Sequence, residues 1–161
     1  MDYMKKNIFK LLFAIVFCQL AGILGSVFTF PSVKGWYATL QKPSFSPPNW
    51  VFAPVWVALF FLMGISLYLI LKKDIRDREV KKGLLVFVIQ LFLNIRWSFL
   101  FFYLHNPFSA FLDILLLWLA IVLTVIQFRK IDRGAAYLLL PYLTWVSFAA
   151  LLNFSVWQLN V

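Results

Sequence analysis

The sequence predicts an all-α integral membrane protein, a bundle of five transmembrane helices with a Pro- and Trp-rich lid loop between helices one and two. Two observations carry this prediction. Of the 161 residues, 63% are hydrophobic and only 13% are charged, which is more apolar surface than a soluble domain of this size could bury. The apolar residues also form five continuous blocks, each long enough for a helix to cross a hydrocarbon core about 30 Å thick.

Helix one is expected at about residues 7–29. Three lysines precede its apolar run, as in a signal peptide, but the run continues to Phe30 and is long enough to span the membrane. We therefore expect this helix to be retained. Overlapping pairs of small residues permit close contact with another helix, within the monomer or in a dimer; they are Gly22 with Ser26 and Ala21 with Gly25.

The loop that follows, residues 30–48, is expected to be a stiff lid. The segment 31–56 holds five Pro, three Trp and one Tyr. Proline fixes φ and removes a backbone donor, so such a loop loses flexibility. Aromatic side chains in it could cover a cavity at the membrane face.

The other four helices are expected at about residues 49–71, 83–104, 107–128 and 134–157. Strands are not expected, because the blocks are continuously apolar rather than alternating. The turn at residues 105–107 is very short, which makes helices three and four an antiparallel hairpin. No soluble domain fits between the helices, so residues 1–161 are predicted to form a single membrane domain.

The basic residues predict the orientation of the bundle. All Lys and Arg except Lys34, Lys42 and Arg96 fall in the N-terminal segment and in the loops 72–82 and 129–133, which lie on one side. The positive-inside rule puts that side in the cytoplasm, with the lid and the C-terminus outside. The net charge of +9 then reflects topology, and nucleic-acid binding is not expected because no basic–aromatic binding module is present.

Several aromatic and polar residues converge beneath the lid. At 1.5 Å per residue they lie on the order of 9–18 Å from the outer ends of their helices. They are Trp56 on helix two, Asn94 and Trp97 on helix three, Asp113 on helix four and Trp145 on helix five. This common depth predicts one polar and aromatic layer in the outer half of the bilayer.

Helical spacing gives two of these helices a defined inner face. Gln90, Asn94 and Trp97 share one face of helix three, and Trp145 shares a face of helix five with Phe148 and Ala149. One interpretation is an aromatic pocket with a few amide donors, suited to a flat, apolar ligand. The alternative is that these side chains only pack helices. Trp50 and Trp157 fit better into an interfacial aromatic belt.

Arg96 and Asp113 are the charges expected inside the membrane. A lone charge at a helix centre costs about 2.5–3.5 kcal/mol on insertion scales, and their heights match across the hairpin. We expect a structural ion pair rather than a proton relay, because no chain of ionisable groups continues inward. Arg96 lies about 200° around the helix from Asn94, so it should not line the same pocket.

No enzymatic signature is recognisable among the motifs. The single histidine, His105, has no Ser, Cys or second His near it in the sequence, paired carboxylates are absent from the outer half, and no Gly-rich phosphate loop is present. We therefore expect no bound metal and no required cofactor.

A set of short motifs occurs in one order along about residues 22–157. They are Trp36-Tyr37, Lys42-Pro43-Ser44-Phe45-Ser46-Pro47-Pro48, Trp56, Gln90-Leu91-x-x-Asn94-x-x-Trp97-Ser98, Phe101-Phe102, Asp113 and Pro141-Tyr142-Leu143-x-Trp145. Together they resemble the tryptophan-rich sensory protein / translocator protein family, which includes the peripheral-type benzodiazepine receptor. The likeness is to its bacterial-type members, so it implies a multi-pass protein of a bacterial cytoplasmic membrane.

The resemblance implies a five-helix bundle, often dimeric, with a pocket closed by the first loop. It implies a receptor for porphyrins such as protoporphyrin IX and for benzodiazepine-type compounds, with a role in tetrapyrrole handling or stress sensing. The matching positions for ligand contact are Tyr37, Trp56, Asn94, Trp97, Trp145, Phe148 and Ala149.

Two further functions remain open from the resemblance. Some bacterial relatives degrade protoporphyrin in light, and Trp56 and Trp145 match the tryptophans implicated there. Porphyrin transport is the other, although the inner half of the helices carries almost no polar lining for a path.

The chain departs from the family pattern in places. Phe45 stands where relatives usually have Trp, and Arg96 replaces a neutral residue. Phe154 and Gln158 replace the Tyr and the basic residue of the animal cholesterol motif, so the match gives no expectation of sterol binding.

Overall fold

The computed structural model describes residues 2–161. As predicted, it is all-α and contains five helices long and apolar enough to cross a membrane. The elements in chain order are α1 (Asp2–Val33), α2 (Trp36–Thr39), α3 (Asn49–Leu71), α4 (Arg78–Ser98) with a π-helical turn (Phe99–Tyr103), α5 (Pro107–Ile131), α6 (Arg133–Leu138) and α7 (Leu140–Leu159). The fifth span consists of α6 and α7 together.

The lid is shorter and more structured than the sequence indicated. We expected a stiff lid loop over residues 30–48, whereas α1 continues through Pro31 to Val33. Pro31 lies in the last turn of α1, so the backbone donor that it lacks interrupts little of the helix. The lid then contains one helical turn, α2, before the extended Pro-rich segment that leads into α3.

Helix α4 begins five residues before the predicted start at residue 83, because its first turn is polar. Asp77 caps it: its Oδ1 accepts hydrogen bonds from the backbone N of Glu79 at 2.7 Å and of Val80 at 3.2 Å. Such side-chain capping satisfies donors that the helix leaves free. Hydropathy alone does not detect a polar helix end of this kind.

The fifth span is interrupted at Leu139, with Pro141 in the first turn of α7. Proline is well accommodated in a first turn, where its missing N–H has no partner to lose. Pro54, by contrast, lies within α3, which continues without a break from Asn49 to Leu71.

The small residues of α1 and α3 bring these two helices into close contact. A methyl group added at Gly64 would lie 2.7 Å from the Cα of Ile15, and one at Gly22 would lie 2.6 Å from the ring of Phe60. Gly25 faces the side chain of Ser98. The small residues of α1 thus serve contacts within the monomer, which was one of the two alternatives left open by the sequence.

The hairpin of α4 and α5 contains the intramembrane charges. The guanidinium of Arg96 forms an ion pair with the carboxylate of Asp113, whose side chain is 1% exposed, whereas that of Arg96 is 39% exposed. The turn between the helices includes His105 in the left-handed region, at φ 51°. Asn106 then caps α5, accepting from the backbone N of Ser109 at 2.9 Å.

Large buried side chains fill the half of the bundle away from the lid. Met63, Phe87 and Phe128 are fully buried, and the rings of Phe87 and Phe128 stack with centroids 5.6 Å apart. Close packing of this kind leaves little free space. A cavity lined by four of the spanning helices lies in the lid-side half.

Candidate functional site

A cavity of about 440 Å³ lies beneath the lid. Four of the five spanning helices contribute to its wall, and α5 does not. The wall comprises Gln19, Gly22, Ile23, Gly25, Ser26, Thr29, Phe30 and Val33 of α1; Lys34 and Tyr37 of the lid; Asn49, Phe52, Ala53, Trp56, Val57 and Phe60 of α3; Asn94, Trp97, Ser98, Phe101 and Phe102 of α4 and its π-helical turn; and Trp145, Ala149, Leu152, Asn153 and Val156 of α7.

Six of the seven residues predicted to contact a ligand lie on this wall: Tyr37, Trp56, Asn94, Trp97, Trp145 and Ala149. Phe148 does not. Its ring packs between Trp145, at a centroid distance of 5.5 Å, and Phe45 of the lid, at 6.3 Å. Phe148 therefore supports the lid and the Trp145 ring from behind, rather than lining the cavity.

The inward face of α4 is held by hydrogen bonds to α7. Asn94 Nδ2 donates to the hydroxyl oxygen of Tyr142 at 3.0 Å, and Trp97 Nε1 donates to Asn153 Oδ1 at 2.9 Å. Gln90 shares the face but lies below the cavity, fully buried beside Met63. The two bonds fix an amide and an indole on the cavity wall.

Two further indoles line the wall where α3 and α7 meet. The ring of Trp56 contacts Phe60 at 5.7 Å and Tyr142 at 6.3 Å, while the ring of Trp145 meets Phe52 edge-on at 5.9 Å. Among the described residues, nothing accepts a hydrogen bond from Trp145 Nε1, which is buried. An unsatisfied buried donor of this kind is costly unless a further group accepts its hydrogen bond.

The lid is attached to the bundle at several points. Asn160 Nδ2 donates to the carbonyl of Gln41 at 2.9 Å, and Gln41 N donates to Asn160 Oδ1 at 2.9 Å. Tyr37 is buried against Phe101 and Phe102. Burial raises the pKa of the Tyr37 phenol, so this side chain stays neutral.

His105 has partners that its sequence position did not reveal. Its Nε2 lies 3.1 Å from Ser32 Oγ, and its ring stacks on Trp36 of the lid with centroids 4.3 Å apart. Ser32 Oγ also donates to the carbonyl of Phe102. These contacts join α1, the lid and the α4–α5 turn. Because the Ser32 hydroxyl proton is bonded to the Phe102 carbonyl, Ser32 and His105 are not arranged as a nucleophile and its base.

The sequence did not predict the contributions of α1, Phe52, Phe60 and Asn153 to the wall. For Asn153 a signal was available, since Trp145, Ala149 and Asn153 follow at i, i+4 and i+8 on one helix face. For α1 the small residues indicated a close contact, but not that it borders a cavity.

The fold and the site together define a class: a five-span membrane protein with a lidded, indole-lined cavity in one half of its bundle. The chain belongs to the TspO/MBR family, whose model matches residues 14–158.

Relatives from distant organisms support this membership. The chain is 45% identical to tryptophan-rich protein TspO of Chlorobaculum tepidum, over 98% of this chain and 99% of the relative. It is 44% identical to tryptophan-rich protein TspO of Archaeoglobus fulgidus, over 96% and 99%. It is 40% identical to the translocator protein of Ovis aries, over 86% and 83%.

Proposed function

We propose that this protein is a membrane receptor that binds porphyrins, protoporphyrin IX among them, and benzodiazepine-type compounds in the cavity beneath the lid. The observation that carries the proposal is the wall itself, where indoles from α3, α4 and α7 surround a space of about 440 Å³. This volume is within the usual range of small-molecule pockets, about 300–1,000 Å³. Flat aromatic ligands gain from contact with such ring faces and edges.

The polar groups on the wall support a ligand that is apolar in its body and polar at its edges. Trp145 Nε1 is a buried donor without a protein acceptor, and the Lys34 side chain lies at the rim of the cavity. Ring nitrogens and carboxylates of a tetrapyrrole would provide acceptors for groups of this kind. We therefore propose tetrapyrrole handling or stress sensing as the role of the protein.

The test is a titration of the purified protein with protoporphyrin IX, followed by porphyrin fluorescence. We expect saturable quenching or a spectral shift at micromolar concentrations. Trp56→Phe combined with Trp145→Phe should weaken binding, whereas Trp50→Phe should not, since Trp50 is 75% exposed and is not on the wall. Unchanged binding in the double variant would contradict the assigned site.

Light-dependent porphyrin degradation is a second candidate, favoured by Trp56 and Trp145 being on one cavity wall. A photoexcited porphyrin held against either indole is close enough to exchange an electron with it, and molecular oxygen would supply the oxidant. Illumination of the complex in air should then produce a bilin-like absorption band that is absent in darkness and in the double variant. Binding without any such band would support the receptor function alone.

Transport is less well supported. The cavity wall extends no further from the lid than Gln19, Phe60 and Trp145. Fully buried side chains such as Phe87 and Phe128 fill the other half. Porphyrin flux in reconstituted vesicles would overturn this view.

A further inference from the structure

The cavity has one wall that the helices do not complete. Ile23 of α1 and Val57 of α3 line it, and yet they are 56% and 58% exposed on the outside of the bundle. Phe30 and Ala53 likewise line the cavity and are exposed. Side chains that belong to a cavity wall and also to the outer surface mark an opening. This opening lies between α1 and α3.

The opening runs along the two helices for about two turns. On α1 it is bordered by Ile23 and Phe30, and on α3 by Asn49, Ala53 and Val57, positions that span about 12 Å of helix at 1.5 Å per residue. These border residues are mostly apolar and belong to predicted membrane spans. Lipid, and not water, would therefore face most of the opening.

Below the opening the two helices close together. Gln19 Nε2 donates to the carbonyl of Val57 at 3.0 Å. Beside this bond, Gly22 lies so close to the Phe60 ring that a methyl group there would be 2.6 Å from it. The gap thus has a defined floor and does not continue through the bundle.

The lid, in contrast, is fastened to the C-terminal end of α7 and to the α4–α5 turn. Two hydrogen bonds of 2.9 Å join Gln41 to Asn160, and Trp36 stacks on His105. Opening the lid toward water would break these contacts. Passage between α1 and α3 would leave these contacts in place.

We propose that ligands reach the cavity from the membrane, through the opening between α1 and α3 in the lid-side leaflet, while the lid remains closed. This inference rests on the proposed function, because it concerns the ligand of the same cavity. It restricts that ligand to flat molecules that partition into the bilayer. Their apolar body passes between the border residues, and any anionic edge stays near Lys34 at the rim.

The experiment compares rates of protoporphyrin IX binding to protein in lipid nanodiscs, by stopped-flow quenching. Ala53→Trp places a large side chain in the opening, and we expect association and dissociation at least tenfold slower. Ala58→Trp is the matched control, because Ala58 is exposed on α3 but is not on the cavity wall. Its rates should equal those of the wild type.

A second variant tests the lid. Asn160→Ala removes both hydrogen bonds to Gln41 without altering the cavity wall, and we expect exchange rates within about twofold of the wild type. Faster exchange in Asn160→Ala, or wild-type rates in Ala53→Trp, would overturn the proposal. If Ala53→Trp does not bind protoporphyrin IX at all, the exchange rates of Asn160→Ala decide the proposal: rates near the wild type support it, and faster rates overturn it. Failure of the proposed function is distinct: the wild type would then give no saturable quenching.

Discussion

The hydrogen bond between Trp97 and Asn153 shows how individual side chains hold the wall of the cavity. Asn153 is 2% exposed and uses both ends of its amide. Its Oδ1 accepts from Trp97 Nε1, and its Nδ2 donates to the carbonyl of Pro107 at 2.8 Å. One amide thus connects α7 to both helices of the α4–α5 hairpin.

The first prediction concerns this amide. Asn153→Ala leaves the indole donor of Trp97 without its acceptor, and unsatisfied buried groups cost about 1–3 kcal/mol. We expect a lower midpoint of thermal unfolding in detergent. Ser155→Ala on the same helix removes only a local bond to the Leu151 carbonyl, so its midpoint should stay near the wild type. Equal midpoints for both variants would contradict this assignment.

The second prediction concerns Lys34, whose exposed side chain lies at the cavity rim. If it attracts a ligand carboxylate, Lys34→Gln should weaken protoporphyrin IX binding by up to about fivefold, since exposed pairs contribute about 0.2–1 kcal/mol. Titration with the dimethyl ester of protoporphyrin, which carries no carboxylate, should give equal affinities for wild type and variant.

Lys42→Gln provides the matched control for that measurement. Lys42 is the other lid lysine, and its ammonium lies 4.6 Å from the centroid of the Tyr37 ring, off the cavity wall. If both lysine variants lost the same affinity for protoporphyrin IX, general charge and not the rim position of Lys34 would be responsible. If Lys34→Gln weakened binding of the ester as much as binding of the acid, Lys34 would not act through a ligand carboxylate.

Part of the candidate wall could be predicted residue by residue, and the rest could not for physical reasons. Tryptophan and amide side chains within apolar helices have poor partners in lipid, so Trp56, Asn94, Trp97 and Trp145 could be assigned to the interior. Phe148 was assigned by its helical spacing from Trp145, and its ring also packs against Phe45 of the lid. Helical periodicity in the sequence cannot predict a contact with a loop residue of this kind.

At the scale of elements, the contact between α1 and α3 depends on Gly64. This glycine lies against the backbone of α1, with Ile15 Cα 2.7 Å and the Ala14 carbonyl 3.2 Å from the position of an added methyl group. Backbone atoms cannot move aside as a side chain can. The two helices would have to separate to admit a larger residue.

The third prediction follows from that contact. Gly64→Ala should lower the free energy of unfolding by about 1–3 kcal/mol, as overpacking of a close contact does, and should reduce the thermal midpoint in detergent. Ala58→Leu enlarges the exposed face of the same helix and should leave the midpoint unchanged. A wild-type midpoint for Gly64→Ala would mean that α1 and α3 are not in close contact.

The number and order of the helices followed from hydropathy, whereas several of their ends did not. Asp77 and the polar first turn of α4 lie outside an apolar block, although an Asp that precedes a helix is a recognisable capping signal. The helical turn α2 and the extension of α1 to Val33 depend on contacts with other helices. Ser32 and Trp36, for example, both meet His105, which is distant in sequence.

At the scale of the whole molecule, the charges divide the bundle into two ends. The end away from the lid carries the basic loops, where Lys73 pairs with Asp132 at 3.1 Å. The lid end carries Lys34 and Lys42. The cavity lies toward the end with fewer basic residues, which the positive-inside rule predicts to be the outer one.

The fourth prediction is this orientation. Alkaline phosphatase fused after Val161 should be active, because it would be exported, and a fluorescent protein inserted after Lys73 should fluoresce in the cytoplasm. The opposite pattern of signals would reverse the topology and place the lid inside the cell.

The common depth of the aromatic and amide residues could be derived from sequence, because helix rise converts residue number directly into height. The opening between α1 and α3 could not, since it depends on how far the two helices diverge above Gln19 and Val57. The homodimer implied by the family resemblance remains a prediction. The small residues of α1 that could have mediated it face α3 and α4 within the monomer.

The ion pair between Arg96 and Asp113 has a consequence for biosynthesis. Each charge alone opposes partitioning from the translocon into lipid by about 2.5–3.5 kcal/mol, and each acquires its counter-charge only when the other helix has left the ribosome. We therefore expect α4 to wait beside the translocation channel until α5 has been synthesised. The hairpin would then enter the bilayer as a neutral unit, and in nascent chains truncated before Asp113, α4 should still crosslink to the translocation channel.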